Sequence, residues 1–312
     1  MMLAALLIIA RAVHIGASIL IAGTFNFDVV TLGAARPAVA DDFREIEWRL
    51  SRLAIWSLAV ALFSGVLWFW LEVANMGGFS FVNAFSARAW QKVLLQTEFG
   101  HVWVFRLGLI AIAFVFVISL LARNETRRSP AILIVWLMSV VVLVSLAWIS
   151  HAAAARVQPL GKSADALHLC AAGGWIGGLV PLTIFLARAQ LSFSLREEIL
   201  GVLDRYTVQS LCCVSVLVVS GICNSWLLIG SIHALFTTVY GWLLLFKLAV
   251  FGMLLGFGAR NLLVIKAERL RTRIARELLP QLRRNVICEV CLGAAVLAIV
   301  ACLGVTSPAQ HP

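Results

Sequence analysis

Charge is scarce in this chain. Asp, Glu, Lys and Arg make up 13% of its 312 residues, about half the usual share of a soluble domain. Proline is also scarce, with seven residues. Few of these fall inside the long apolar runs; Pro181 is one, and it predicts a kink there. Several motifs are missing. There is no phosphate-binding loop, no H-E-x-x-H and no pair of carboxylates suited to hydrolysis. The polar segments are too short for a nucleotide-binding domain. The expectation is a protein that is not an enzyme and uses no nucleotide. The seven cysteines lie almost entirely within apolar runs, which argues against the disulfide framework of a small secreted domain. Most read as small buried apolar side chains.

Apolar sequence fills the space. The chain is 62% hydrophobic, and runs of about 20 apolar residues are long enough to cross a bilayer. Eight such runs stand out, roughly at 4–32, 50–74, 100–122, 130–151, 164–187, 206–230, 240–262 and 286–305. Unpaired backbone is too costly in lipid, so all eight are expected to be helices. The first run has no basic leader and continues past any cleavage site, so it reads as a span rather than a removed signal.

A net charge of +10 raises nucleic acid as a partner, but its placement argues otherwise. Lys and Arg concentrate in the loops after spans 1, 3, 5 and 7 and thin out after spans 2, 4 and 6. That asymmetry puts both termini outside and the Arg-rich stretch Lys266 to Arg284 in the cytoplasm, against anionic lipid.

The two halves resemble one another. Val13-His14-Ile15-Gly16-Ala17 reads like Leu167-His168-Leu169-Cys170-Ala171. Arg49, Ser64, Gly65 and Trp70 recur at the same spacing as Arg205, Ser220, Gly221 and Trp226. Thr97-Glu98-Phe99-Gly100 with Arg106 recurs as Thr238-Val239-Tyr240-Gly241 with Lys247. This predicts an all-α membrane protein of two fused four-helix units, residues 1–155 and 156–312, related by an axis along the membrane normal. Duplicated membrane proteins usually work where the copies meet, so His14 and His168 are expected to face that seam.

The topology places every histidine in the outer half. His14 and His168 lie within spans 1 and 5, while His101 and His151 lie at the outer ends of spans 3 and 4. His233 and His311 read as ordinary surface residues. Neutral imidazole is the commonest protein ligand for transition metals, so His14, His168, His101 and His151 are candidate metal ligands. The bland alternative is a hydrogen bond to a neighbouring helix. Asp165 shares a helix face with His168 and either orients the imidazole or caps the helix after Ser163. Arg11, His14 and Ser18 share another face. Arg106 and Lys247 are equivalent in the repeat; each either serves a shared structural role or snorkels to the headgroups.

Four cysteines fall toward the inner side: Cys212 and Cys213 in span 6, and Cys288 and Cys291 in span 8. A C-x-x-C on a helix puts both sulfurs on one face, as a soft-metal relay needs; core packing is the favoured alternative. Gly173-Gly174-Trp175-Ile176-Gly177-Gly178 holds two overlapping G-x-x-x-G pairs, which allow close helix approach. Trp90, Trp103, Trp148 and Trp242 near the outer ends fit an interfacial belt. The segment from about Phe79 to Glu98 is too polar to cross and predicts a short amphipathic surface helix.

Taken together, three stretches resemble the copper-resistance protein D (CopD/PcoD) family of bacterial inner-membrane proteins. They are His168 through Trp175-Ile176-Gly177-Gly178-Leu179, Thr97-x-Phe99-Gly100-x-x-Trp103-x-x-Arg106, and Thr238-x-Tyr240-Gly241 to Lys247 and Asn261. The likeness covers nearly the whole chain. It implies a multi-pass inner-membrane protein that moves copper from periplasm toward cytoplasm, contributes to copper resistance and receives the metal from a small periplasmic copper carrier. The methionine clusters of some copper importers are missing, since only five scattered Met occur. Two rival functions follow from the same residues. One is a b-type haem electron carrier with two axial histidines. The other is a membrane anchor that docks a periplasmic copper carrier and moves nothing.

Overall fold

The computed structural model describes residues 2–33, 40–77, 86–122, 131–154, 157–269 and 278–308. Among them the regular structure is helical throughout, with no strand. Eight segments are long and apolar enough to cross a membrane: Met2–Leu32, Asp42–Gly77, Glu98–Ala122, Ala131–Ile149, Gln158–Ala189, Ser194–Ile229, Val239–Ala267 and Leu278–Leu303. These are the eight runs read from the sequence, mostly lengthened at their ends. His311 and the middle of the Arg-rich stretch lie outside the described residues, as does the start of the segment from Phe79.

In chain order the helices are α1 (Met2–Asn26), α2 (Ala40–Gly77), α3 (Ala87–Gln96), α4 (Glu98–Ala122), α5 (Ala131–Val144), α6 (Gln158–Trp175), α7 (Leu179–Ala189), α8 (Phe193–Ile229), α9 (Ile232–Thr237), α10 (Val239–Arg269) and α11 (Leu278–Leu303). A widened π turn, Phe27–Leu32, ends the first span, and two short 3₁₀ turns, Ser145–Ile149 and His151–Ala154, end the fourth. α1 sits at the centre, packed on α2, α5, α6, α7 and α11.

The two repeats touch at one equivalent pair of residues. Gly23 of α1 and Gly177 of the fifth span meet backbone to backbone; a Cβ on Gly23 would stand inside the Gly177 peptide, and one on Gly177 would come 3.0 Å from Gly23 Cα. Each glycine lies nine residues beyond its repeat's histidine, about 14 Å along the helix. Contact between equivalent positions is what a two-fold relation produces. The seam therefore belongs to glycine, as the G-x-x-x-G spacing foretold, and it has no room for imidazole. The expectation that His14 and His168 face it is overturned. Each turns instead toward the second span of its own half.

The fifth span breaks at the same place. α6 stops at Trp175 and α7 starts at Leu179, with Gly177 N–H bonded to Ala172 O (3.1 Å) and Gly178 N–H to Trp175 O (3.1 Å). Two carbonyls beside the break are taken by α8: Gln209 Nε2 donates to Gly174 O (2.7 Å) and the Tyr206 hydroxyl to Trp175 O (2.7 Å). The expected kink at Pro181 is thus displaced. Pro181 sits in the first turn of α7, where a missing N–H costs little, and the glycines carry the break.

The amphipathic surface helix is α3, capped by Ser86, whose hydroxyl accepts from Ala89 N (3.3 Å). The second half has a shorter counterpart that the sequence reading missed. α9 is capped likewise, with Ser231 Oγ accepting from Ala234 N (3.1 Å). Thr97 and Thr238 then restart the chain identically: Gly100 N donates to Thr97 Oγ1 (2.9 Å) and Gly241 N to Thr238 Oγ1 (3.0 Å).

Candidate functional site

Each half sets a histidine of its first span against a serine of its second. His14 Nδ1 lies 3.0 Å from Ala61 O and 3.3 Å from Ser64 Oγ. His168 Nδ1 lies 2.9 Å from Ser220 Oγ. Ser64 and Ser220 each donate to a carbonyl four residues back, at Val60 (2.6 Å) and Val216 (2.6 Å). Ala61 O only accepts, and Ser220 spends its own proton on Val216 O, so Nδ1 carries the proton in both rings and Nε2 presents a lone pair. The repeated glycines make space: a Cβ on Gly65 would come 3.0 Å from His14 Cε1, and one on Gly221 3.6 Å from His168 Cε1.

The halves differ in what meets that lone pair. In the first, Arg106 Nε donates to His14 Nε2 at 2.8 Å. The rest of its guanidinium donates to Val142 O, Ser145 Oγ (2.7 Å) and Ser18 Oγ (2.6 Å). Arg106 and His14 are both 0% exposed. Trp68 and Trp103 close over the imidazole, with ring centroids 5.6 and 5.2 Å away. Arg106 therefore does not snorkel: four acceptors inside the bundle hold its planar fork. His14, expected as a metal ligand, has both ring nitrogens engaged. Trp103, expected in the interfacial belt, is 1% exposed and donates to Gly65 O (3.0 Å). Trp148 and Trp242 are exposed, as a belt requires.

In the second half the same places carry other residues. Lys247 replaces Arg106 and acts electrostatically on both His168 and Asp165. Asp165 stands three residues before His168, where the first half has Arg11 before His14. Asn224 stands four residues after Ser220, where the first half has Trp68 after Ser64. In the first half Arg11 lies over the Trp68 ring, 4.7 Å from its centroid. In the second, Asn224 Nδ2 donates to Asp165 Oδ1 (3.4 Å), with Ser150 beside that carboxyl. A cation–π pair has become an acid–amide pair. Ser18, which helps hold Arg106, has become Ala172. His168 is half-buried, and among the described residues nothing hydrogen-bonds its Nε2. Asp165 is not a helix cap, because α6 starts seven residues earlier at Gln158.

Among the described residues the remaining candidates do not gather into one metal-holding cluster. His101 is exposed near the start of α4, its Nε2 3.2 Å from Leu95 O. His151 is half-buried and opens the 3₁₀ turn that packs on α6 and α8, next to Ser150. Cys212 and Cys291 are exposed on the outside of their helices, and Cys288 is half-buried. Cys213 packs toward Gly174. All seven cysteines are free thiols. Among the described residues no three His, Cys, Asp or Glu side chains converge to hold a metal ion. What converges around His168 is a mixed group of Asp165, Lys247, Asn224 and Ser150. The serines that hold both rings were already visible as repeated residues. The exchange of Arg11 and Trp68 for Asp165 and Asn224 was visible too, once the halves are aligned by their histidines.

Comparison with known proteins finds two family models along the chain. The family model described as "Copper resistance protein D-like, N-terminal domain" matches residues 2–157, and that described as "Copper resistance protein D" matches residues 200–303. The chain is 29% identical over 229 residues to Copper resistance protein D of Pseudomonas syringae pv. tomato, covering 70% of this chain and 71% of that one. It is 30% identical over 212 residues to Copper transport protein CutJ of Bacillus subtilis (strain 168), covering 66% of this chain but only 37% of CutJ. It is 26% identical over 262 residues to Inner membrane protein YebZ of Escherichia coli (strain K12), covering 82% of each. No solved structure matches.

Proposed function

This chain belongs to the copper resistance protein D family, and on that premise we propose that it carries copper from the periplasm toward the cytoplasm. It is a multi-pass inner-membrane protein. In this reading two four-helix units, residues 1–155 and 156–312, are fused with both termini periplasmic, and the protein is a carrier rather than an enzyme. A periplasmic copper carrier delivers the metal to the outer mouth, where exposed His101 and half-buried His151 meet it first. Copper then passes to His168, beside Asp165. The first half, locked by His14 and Arg106, serves as the frame.

One observation carries this reading. His168 holds its Nδ1 proton against the Ser220 hydroxyl oxygen while Nε2 stays open, which is how a ligating imidazole is normally prepared. An acid stands beside it where the first half has an arginine. That change of sign suits a cation. The haem alternative needs two open imidazoles on facing helices; Arg106 removes His14 from that role, which leaves it only His168, His101 and His151. On the copper reading, purified protein shows no Soret band, and a Soret band favours haem. Cells producing the protein should accumulate more copper than cells producing His168→Ala at equal membrane abundance. Equal accumulation contradicts the proposal, and equality with cells lacking the protein favours the passive anchor.

A further inference from the structure

The second half holds another polar group deep in the bundle, remote in sequence from His168. Asn261 Nδ2 of α10 donates to Glu289 Oε1 of α11 at 2.5 Å, and Asn285 Nδ2, one turn before Glu289, donates to Asn261 Oδ1 at 2.8 Å. Glu289 and Asn285 are each 3% exposed. Glu289 lies eleven residues into α11, about 16 Å along its axis. It follows Arg284 by five residues, near the inner end of the eighth apolar run, with its side chain turned into the bundle.

A carboxylate at this depth is costly unless something neutralises it. Among the described residues no Lys, Arg or His forms an ion pair with it. From α8 the titratable group facing it is Tyr206. From α10 it meets the Asn261 amide, and its own helix adds Asn285. One carboxyl oxygen, Oε2, receives no hydrogen bond among the described residues. It looks toward Gly258, where even a Cβ would stay 3.9 Å away, so the smallest residue type leaves room beside the open oxygen.

The first half has no counterpart of the Asn261 amide: Leu120 follows Arg106 by the fourteen residues that separate Asn261 from Lys247. We propose that Glu289, Asn261 and Asn285 form a binding site for a small monovalent cation, a proton or sodium, that is loaded and emptied as the protein works. The amides fix the carboxyl, and its open oxygen takes the cation.

This inference rests on a transport role for the chain, but its test needs no copper. Purified protein in lipid nanodiscs is assayed for 22Na+ binding and, separately, for the infrared stretch of a protonated carboxyl over a pH series. Saturable sodium binding that Glu289→Gln abolishes supports the site with sodium as its ion. A protonated-carboxyl band that disappears in Glu289→Gln and responds to pH supports it with the proton. Absence of both signals, or their persistence in Glu289→Gln, overturns it. Should Glu289→Gln not fold, Asn261→Ala serves instead, with an expected loss of at least roughly ten-fold in affinity for whichever cation binds. Unchanged affinity there counts equally against the site. Copper accumulation that fails while cation binding persists sinks the transport reading and leaves this site standing.

Discussion

Gly23 and Gly177 occupy equivalent positions in the two repeats and touch each other through bare backbone. The fold turns on that contact, because α1 reaches the second half of the molecule there. A side chain at either position must push two helices apart. Overpacking a rigid interior costs about 1–3 kcal/mol, and here the obstacle is backbone that cannot rotate away. Gly23→Ala and Gly177→Ala are each expected to cost at least about 2 kcal/mol and to lower the melting temperature in detergent. Gly252→Ala, with nothing within 4 Å of its Cβ, is the control and should be neutral or slightly stabilising. Equal behaviour of all three removes the seam.

Arg106 is wholly buried and bonded to four partners, so its replacement separates charge from geometry. Arg106→Lys keeps the charge and reproduces the second half, but loses the fork. The expected loss is about 1–3 kcal/mol. Arg106→Met also leaves His14 Nε2 and two serines without their donor, and should lose about 3–5 kcal/mol or fail to fold. Unfolding in mixed micelles measures both. If the two variants match wild type, the buried fork contributes nothing to stability.

The acid beside His168 gives a prediction on affinity. Asp165→Asn keeps the shape and removes the charge. Copper affinity is expected to fall roughly ten-fold, within the range seen when a supporting carboxylate is lost. Arg11, the equivalent residue of the first half, should not matter in this way: Arg11→Gln should leave affinity unchanged. Equilibrium copper titration against a competing chelator reads both, and equal effects at the two positions contradict the division of labour between halves.

Much of this was legible in the sequence. Runs of apolar residues give the eight spans because lipid forces helices. The repeated Ser64 and Ser220, like Thr97 and Thr238, turned out to be the residues that position His14 and His168 and restart the spans. Direction was the missing part. In a membrane both the interior and the exterior are apolar, so hydrophobicity does not tell which face of a helix turns inward. Hence Trp103 read as an interfacial residue when it is core, and Arg106 left open a choice between snorkelling and a structural role that its sealed fork decides for the latter. Glu289 was in plain view between Cys288 and Cys291. The thiols drew the attention, yet Cys291 faces outward while the carboxyl faces in.

The most direct test is the copper content of purified protein carrying His168→Ala, set beside the same measurement on His14→Ala. With His168→Ala the account predicts a folded protein, a clear loss of bound copper and a melting temperature near wild type. With His14→Ala it predicts a marked fall in melting temperature and copper retained by whatever fraction remains folded. Full copper binding by a well-folded His168→Ala protein would contradict the claim that the second half does the chemistry and the first half is the frame.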